Sequence, residues 1–316
     1  MTNENAHLYS IQRTNSNGLL TATFNALGAR QVALRLDGRD AIAPYDVSAK
    51  PPFSNGSVMF PWVNRLRDGQ WSNEGNTYQA VITEEKSNNA NHGLLRATVY
   101  EVADQAESSI TFVTVLEPSE AYPFRLRFAV EYALTEDGLT VTHRATNLSD
   151  HRAPFATGAH PFFVIDAVPT KDLLLTVPAA TYIRVDERML PAGRESVLGT
   201  NRDAREPVLV GEFLTDTDFT DLERDAQGVA RVTVTEPGDR ATANGVRSLQ
   251  VWLGPDFKHA HIYSMTEYPD GAGVTNGLAI EPVTAGPNAL NTGEDLLWLS
   301  PDGEWSGSWG VSLLYW

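Results

Sequence analysis

The run Leu126-Arg127-Phe128-Ala129-Val130-Glu131-Tyr132-Ala133-Leu134 decides the fold class, together with the Thr135-Glu136-Asp137-Gly138 and Leu139-Thr140-Val141-Thr142-His143-Arg144 that follow it. Large apolar side chains occupy every second position from Leu126 to Leu134, which sorts them onto one face of an extended chain and Arg127 and Glu131 onto the other. Asp137-Gly138 supplies turn chemistry, and Leu139, Val141 and His143 then resume the alternation. A period of two broken by such a turn predicts a β-hairpin.

Shorter runs of the same kind recur at residues 32–36, 110–116, 229–234 and 249–253. No window of helical length carries an i, i+3, i+4 apolar stripe. The 18 prolines and 24 glycines are scattered rather than pooled in a linker, so they punctuate short elements throughout. Many short strands with frequent turns predict an all-β chain, a large antiparallel β-sandwich. No break in composition, internal repeat or low-complexity tract divides it, and residues 1–316 are expected to form a single domain.

Composition narrows the partners. Twenty-four basic residues against 40 acidic ones leave a formal net charge of -16, a field that repels phosphate backbones and anionic lipid. Nucleic acid and membrane are therefore unexpected, and no run of about 18 apolar residues offers a membrane span. The N-terminal Met1-Thr2-Asn3-Glu4-Asn5-Ala6-His7 has neither the basic nor the apolar region of a signal peptide. Cysteine is absent, which excludes disulfides, thiolate metal sites and Cys nucleophiles and fits a reducing, cytoplasmic setting. A small neutral molecule is the partner that suits this balance.

Four segments look out of place as plain core or plain turn. In Phe60-Pro61-Trp62-Val63-Asn64-Arg65-Leu66-Arg67-Asp68-Gly69, Arg65 offers a planar fork of donors and Asn64 both a donor and an acceptor, a set suited to adjacent hydroxyls. A structural ion pair would explain Arg65 equally well. In Asn88-Asn89-Ala90-Asn91-His92-Gly93, a His before Gly brings a ring and bare backbone close to a ligand, or simply ends a polar loop. Pro161 biases His160 towards extended backbone, and Phe162-Phe163 could wall a dry pocket or belong to the core. Glu281, at the end of an apolar stretch, is either partnered or functional, since a lone carboxylate there would be costly. His7, His143, His151, His259 and His261 lack comparable surroundings; His259 and His261 share a strand face, but no third ligand is near and no metal site is expected.

In this order the segments resemble the aldose 1-epimerase (galactose mutarotase) family from about Phe53 to the C-terminus. The resemblance is carried by Asn64-Arg65, His92-Gly93, His160-Pro161-Phe162, Tyr182-Ile183-Arg184-Val185-Asp186-Glu187, Leu190-Pro191-Ala192-Gly193, an Asp-x-x-Phe at Asp216 and Phe219, and Glu281-Pro282-Val283-Thr284. It implies a galactose mutarotase-like supersandwich and cofactor-free interconversion of the α and β anomers of a free aldose. It further implies His160 as general acid and Glu281 as general base, with Arg65, His92 and Asp216 holding sugar hydroxyls and Asn64 supporting them. Asp218 and Asp221 compete with Asp216 for that place. A carboxylate near His160, with Asp216 as candidate, would raise the histidine pKa. Trp62, Phe162 and Trp252 are candidate platforms for the apolar face of a sugar.

Two departures bear on substrate. His92-Gly93 is followed by Leu94-Leu95-Arg96 where galactose-type enzymes continue with a second glycine, and Val63 stands in a Pro-Trp-Val-Asn-Arg context. Both resemble a bacterial sub-branch of uncertain substrate, which leaves the reaction class intact and the identity of the sugar open. A hexose-6-phosphate 1-epimerase, with Arg67 and Arg96 as phosphate partners, and a non-catalytic carbohydrate-binding protein are the alternatives. A glycoside hydrolase built on Glu281 and Asp216 would leave the His-Pro segment without a task.

Overall fold

The computed structural model describes residues 7–238, 247–269 and 273–315. Residues 1–6, most of the N-terminal stretch without signal-peptide character, lie outside them. The expected hairpin forms: Leu126–Leu134 pairs antiparallel with Gly138–Asn147, with Leu134 opposite Leu139 and Leu126 opposite Asn147. Leu126, Phe128, Val130, Tyr132 and Leu134 are all buried, whereas Arg127 is exposed. Thr135 N–H donates to the Gly138 carbonyl (2.8 Å) to close the turn. Gly138 has φ +152°, and a Cβ there would lie 2.1 Å from the Val311 carbonyl oxygen of the adjoining strand.

The hairpin occupies the middle of a nine-stranded sheet. In spatial order its strands are Glu101–Gln105, Ser109–Leu116, Leu126–Leu134, Gly138–Asn147, Glu304–Leu314, Ser248–Leu253, Ala230–Thr235, Leu174–Thr176 and Val208–Leu209. A second sheet of seven runs Pro191–Ser196, Ala179–Val185, Thr215–Leu222, His259–Pro269, Val274–Val283, Gly158–Ala159, Val58–Met59. Four N-terminal strands, Leu8–Asn15 to Arg39–Asp40, form a third sheet. Strand pairs are antiparallel throughout these sheets, and the one α-helix among the described residues is the single turn Ala289–Thr292.

One continuous apolar cluster joins the sheets, drawing Phe128 and Val130 from the nine-stranded sheet and Phe219, Ile262 and Ile280 from the seven-stranded one. Each such side chain, fully buried, contributes roughly 1.5–3 kcal/mol of transfer free energy. The seven-stranded sheet thus turns Phe219, Ile262 and Ile280 into the core, and alternation turns their neighbours Asp218, His261 and Glu281 to its other face. Asp218 is registered opposite His261, and His261 opposite Glu281. Gly158 pairs with Val283, so two residues further on His160 falls beside Glu281. Carboxylate, imidazole, carboxylate and imidazole thereby alternate in one row across four neighbouring segments.

Candidate active site

Loops border the middle of that row and form with it an open cavity of about 230 Å³, small beside the roughly 300 Å³ and upward of drug-sized pockets. All six residues singled out from the sequence, Asn64, Arg65, His92, His160, Asp216 and Glu281, line it. Phe53, Glu84, Arg96, His261 and Tyr263 line it as well.

His160 is fixed through its backbone. Its N–H donates to the Ser57 carbonyl and its carbonyl accepts from Gly56 N–H, both at 2.9 Å. The ring stacks on Phe162 (centroids 5.4 Å apart, 22° between planes) and meets the edge of His92 at 5.3 Å. Nε2 lies 3.2 Å from Glu281 Oε1, and both side chains are almost wholly buried. His92 is aimed by a left-handed backbone (φ +62°) and by its N–H, which donates to the Asn64 carbonyl at 2.9 Å. The following Gly93 has φ +72°, and a Cβ on it would come within 2.1 Å of the Phe60 carbonyl oxygen. That close approach explains the His-Gly pair in the sequence.

Arg65 is held on both sides. Its Nε and Nη2 donate to the two oxygens of Glu84 at 3.0 and 3.1 Å, and Nη2 also reaches Asp216 Oδ2 at 3.3 Å. The other oxygen of Asp216 is 2.7 Å from His261 Nε2. Of the three aspartates on this strand, Asp216 alone lines the cavity. Asp218 is buried against His259 Nδ1 (2.7 Å), and Asp221 accepts from the Thr181 hydroxyl.

Burial dominates the electrostatics. It drives His160 down to about 4, helped by the positive charge of His261 and opposed by Asp216. Burial likewise pushes Glu281 up to about 8; His261 and Arg65 pull it down, Asp216 and Asp218 up. His92 falls well below the ordinary histidine value through burial and the nearby His160, Arg96 and Arg65. Asp216 is also penalised by burial, but His261 and Arg65 outweigh that and hold it well below the carboxylate range. His261 is the exception among the cavity histidines: burial works against its charge, yet Glu281, Asp216 and Asp218 together raise it to about 9. The expected rise at His160 is therefore reversed, because burial and the charge of His261 outweigh the upward pull of Asp216.

The platform aromatics need correction too. Trp62 is buried with its Nε1–H on the Ala90 carbonyl, Phe162 lies behind His160, and Trp252 belongs to the nine-stranded sheet. None lines the cavity. Phe53, 41% exposed, and Tyr263 do so, their rings 6.2 Å apart. Sequence shows of His261 only that it shares a face with His259; its importance comes from standing opposite Glu281 in the neighbouring strand. His259 and His261 each engage their own aspartates, and no group of three or more His, Asp or Glu among the described residues is arranged to hold a metal ion.

The sequence matches the family model described as aldose 1-epimerase over residues 10–300. It is 29% identical over 279 residues to the uncharacterized protein YihR of Escherichia coli K12, covering 88% of this chain and 85% of that protein. Human galactose mutarotase is 30% identical over 168 residues, 51% of this chain and 48% of its own length. Among solved structures, the GalM/aldose epimerase homologue from C. elegans superposes with a TM-score of 0.81 at 19% identity, covering 97% of this chain and 98% of that one. Galactose 1-epimerase from Lactobacillus acidophilus gives 0.76 at 18% identity, with 97% and 98% covered. At those identities the two structures speak for the fold.

Proposed function

The chain belongs to the aldose 1-epimerase family, and on that premise we propose that it interconverts the α and β anomers of a free hexose in the cytoplasm, without a cofactor. The observation that carries this reading is the His160–Glu281 contact of 3.2 Å inside a small polar cavity. Glu281 accepts the proton of the C1 hydroxyl while His160 gives one to the ring oxygen. The bond between C1 and the ring oxygen breaks, leaving an aldehyde. Rotation about C1–C2 presents its other face, and reclosure returns both protons. Arg65, His92 and Asp216 hold the remaining hydroxyls, Asn64 braces Arg65 by accepting its backbone N–H at the side-chain Oδ1 (2.8 Å), and Phe53 or Tyr263 covers the apolar face of the ring.

The assignment needs the pair to hold one proton. His160 protonated with Glu281 ionised, and both groups neutral, are two arrangements of one and the same proton. Ring opening converts the first into the second. Burial pulls both groups towards the neutral form, so the resting pair keeps its proton on Glu281 and ring opening starts from the less populated arrangement.

Polarimetry on freshly dissolved α-glucose or α-galactose, with anomer-resolved NMR, tests the reading directly. The protein should bring the rotation to its equilibrium value faster than buffer alone. Glu281→Gln should slow it by roughly 10²–10⁴-fold, the usual contribution of a positioned acid or base. A Glu281→Gln protein that kept near-normal rates would refute the base assignment.

One observation favours a second reading, a hexose-6-phosphate 1-epimerase. Arg96 lines the cavity, yet no carboxylate of the described residues lies within 4.0 Å of it, although Arg65 and His261 beside it are both paired. Burial lowers its pKa, aided by Arg30, so an arriving anion would relieve it. Comparison of free and phosphorylated hexoses in the same NMR assay separates the two readings.

A further inference from the structure

His261 takes no part in the proton transfers described above, yet it stands in the row of the pair that makes them. Directly opposed residues in an antiparallel sheet have Cβ atoms about 4.5–5.5 Å apart, and His261 has Asp218 on one side and Glu281 on the other. Its Nε2 is 2.7 Å from Asp216 Oδ1. Its Nδ1 is 3.9 Å from Asp218 Oδ1, a buried oxygen with no hydrogen-bond partner among the described residues. The Asn64 amide approaches the same nitrogen only at 3.4 Å.

We propose that His261 is a resident imidazolium that sets the proton affinity of the His160–Glu281 pair, a positioning residue acting through that pair. The proposal rests on the reading of the pair as acid and base. His261 is not the donor to the sugar, because its Nε2–H is committed to Asp216. Three carboxylates, Asp216, Asp218 and Glu281, face the ring from the two strands beside it. Arg65, which shares Asp216 with it, opposes its charge from the cavity side, as does burial, whereas His92 and His160 stand there as neutral rings. The carboxylates prevail and hold His261 charged up to about 9.

A fixed cation in this position lowers the proton affinity of both members of the pair, as the pull of His261 on Glu281 and on His160 indicates. Without it, Glu281 would keep its proton to still higher pH, and His160 would take up a second proton nearer neutrality. Coupled groups titrate as a unit, so both limbs of the activity profile belong to the pair and should move together.

His261→Gln keeps an amide N–H for Asp216 and removes the charge. Both limbs of its kcat/KM profile should shift to higher pH by about one unit or more, the effect of a nearby charge. Activity on the acid limb would then fall about tenfold or more, while activity on the alkaline limb would exceed that of wild type. Structural damage cannot produce that gain, so a uniform loss with both limbs in place overturns the proposal. A second measurement uses the unsubstituted protein, by ¹⁵N NMR of its imidazoles. Both nitrogens of His261 should be protonated at pH 7; a bare Nδ1 there, accepting from Asn64, overturns the proposal even in an active epimerase. An imidazolium in a protein that anomerises no aldose overturns the epimerase reading, and this role with it.

Discussion

Glu281 and His160 share one proton over a defined range, and that range predicts the pH dependence of the reaction. His160 accepts a further proton only near 4, and Glu281 surrenders its own near 8. Below about 4 the pair carries two protons and has lost its base; above about 8 it carries none and has lost its acid. The kcat/KM profile should therefore be a broad bell with its maximum between those values, measured by exchange NMR under buffers of constant ionic strength. A rate that kept rising beyond pH 9 would mean that Glu281 needs no protonated partner. The two residues of the pair were legible in the sequence because each sits in a short motif, His-Pro-aromatic or Glu-Pro-Val-Thr, whose order along the chain matches the family. Their protonation was not legible. It follows from near-complete burial and from His261, and neither the depth of a side chain nor its cross-strand neighbour is written in local spacing.

Two left-handed backbone positions in the bordering loops do as much as the strands to aim the site. His92 (φ +62°) and Gly93 (φ +72°) pass so close to Phe60 that only glycine fits at the second position. Gly93→Ala combines the cost of a left-handed alanine, about 1–2 kcal/mol, with a collision against the Phe60 carbonyl. It should lower Tm by several degrees and displace His92, reducing kcat/KM even in the folded fraction. Gly75→Ala is the control, since it has φ +81° but open space where the Cβ would go. It should show the backbone cost alone and leave activity unchanged. Equal losses in the two variants would mean that the Phe60 contact carries no cost. At this scale the hairpin at Leu126–Leu134 and Gly138–Asn147 was readable, because alternation and turn chemistry are local. The insertion of Glu304–Leu314 between that hairpin and Ser248–Leu253 was not, since it joins segments far apart in sequence. The row of Asp218, His261, Glu281 and His160 depends on the same kind of long-range register.

Across the whole molecule, a formal charge of -16 gives no hint that histidines set the stability of the fold at both ends of the pH scale. His143 is buried with Nδ1 against the Thr157 hydroxyl (2.9 Å), and burial lowers it to about 3. His160 is lowered to about 4. Both titrate near 6.5 in an unfolded chain, so the stability they contribute is complete above that pH and is lost as pH falls towards 3–4. His259 behaves in the opposite way. Burial opposes its charge, but Asp218 at 2.7 Å and Asp295 at 3.1 Å raise it to about 9, as the surrounding carboxylates do for His261. Stability from these two is complete below about 6.5 and is lost as pH rises through 9. Glu281, raised from 4.5 to about 8, loses its contribution as pH rises between those values, and growing negative charge repels itself on the alkaline side as well. Tm should therefore peak near pH 6–7 and fall on both sides. Asp295→Asn removes one acceptor of His259 outside the cavity, so it should lower Tm at pH 6.5 and flatten the decline between 6.5 and 9. If Tm instead rose from pH 6.5 to 9, the buried histidine–carboxylate pairs would not be charged in the folded protein, and the charge assigned to His259 and His261 would fail with them.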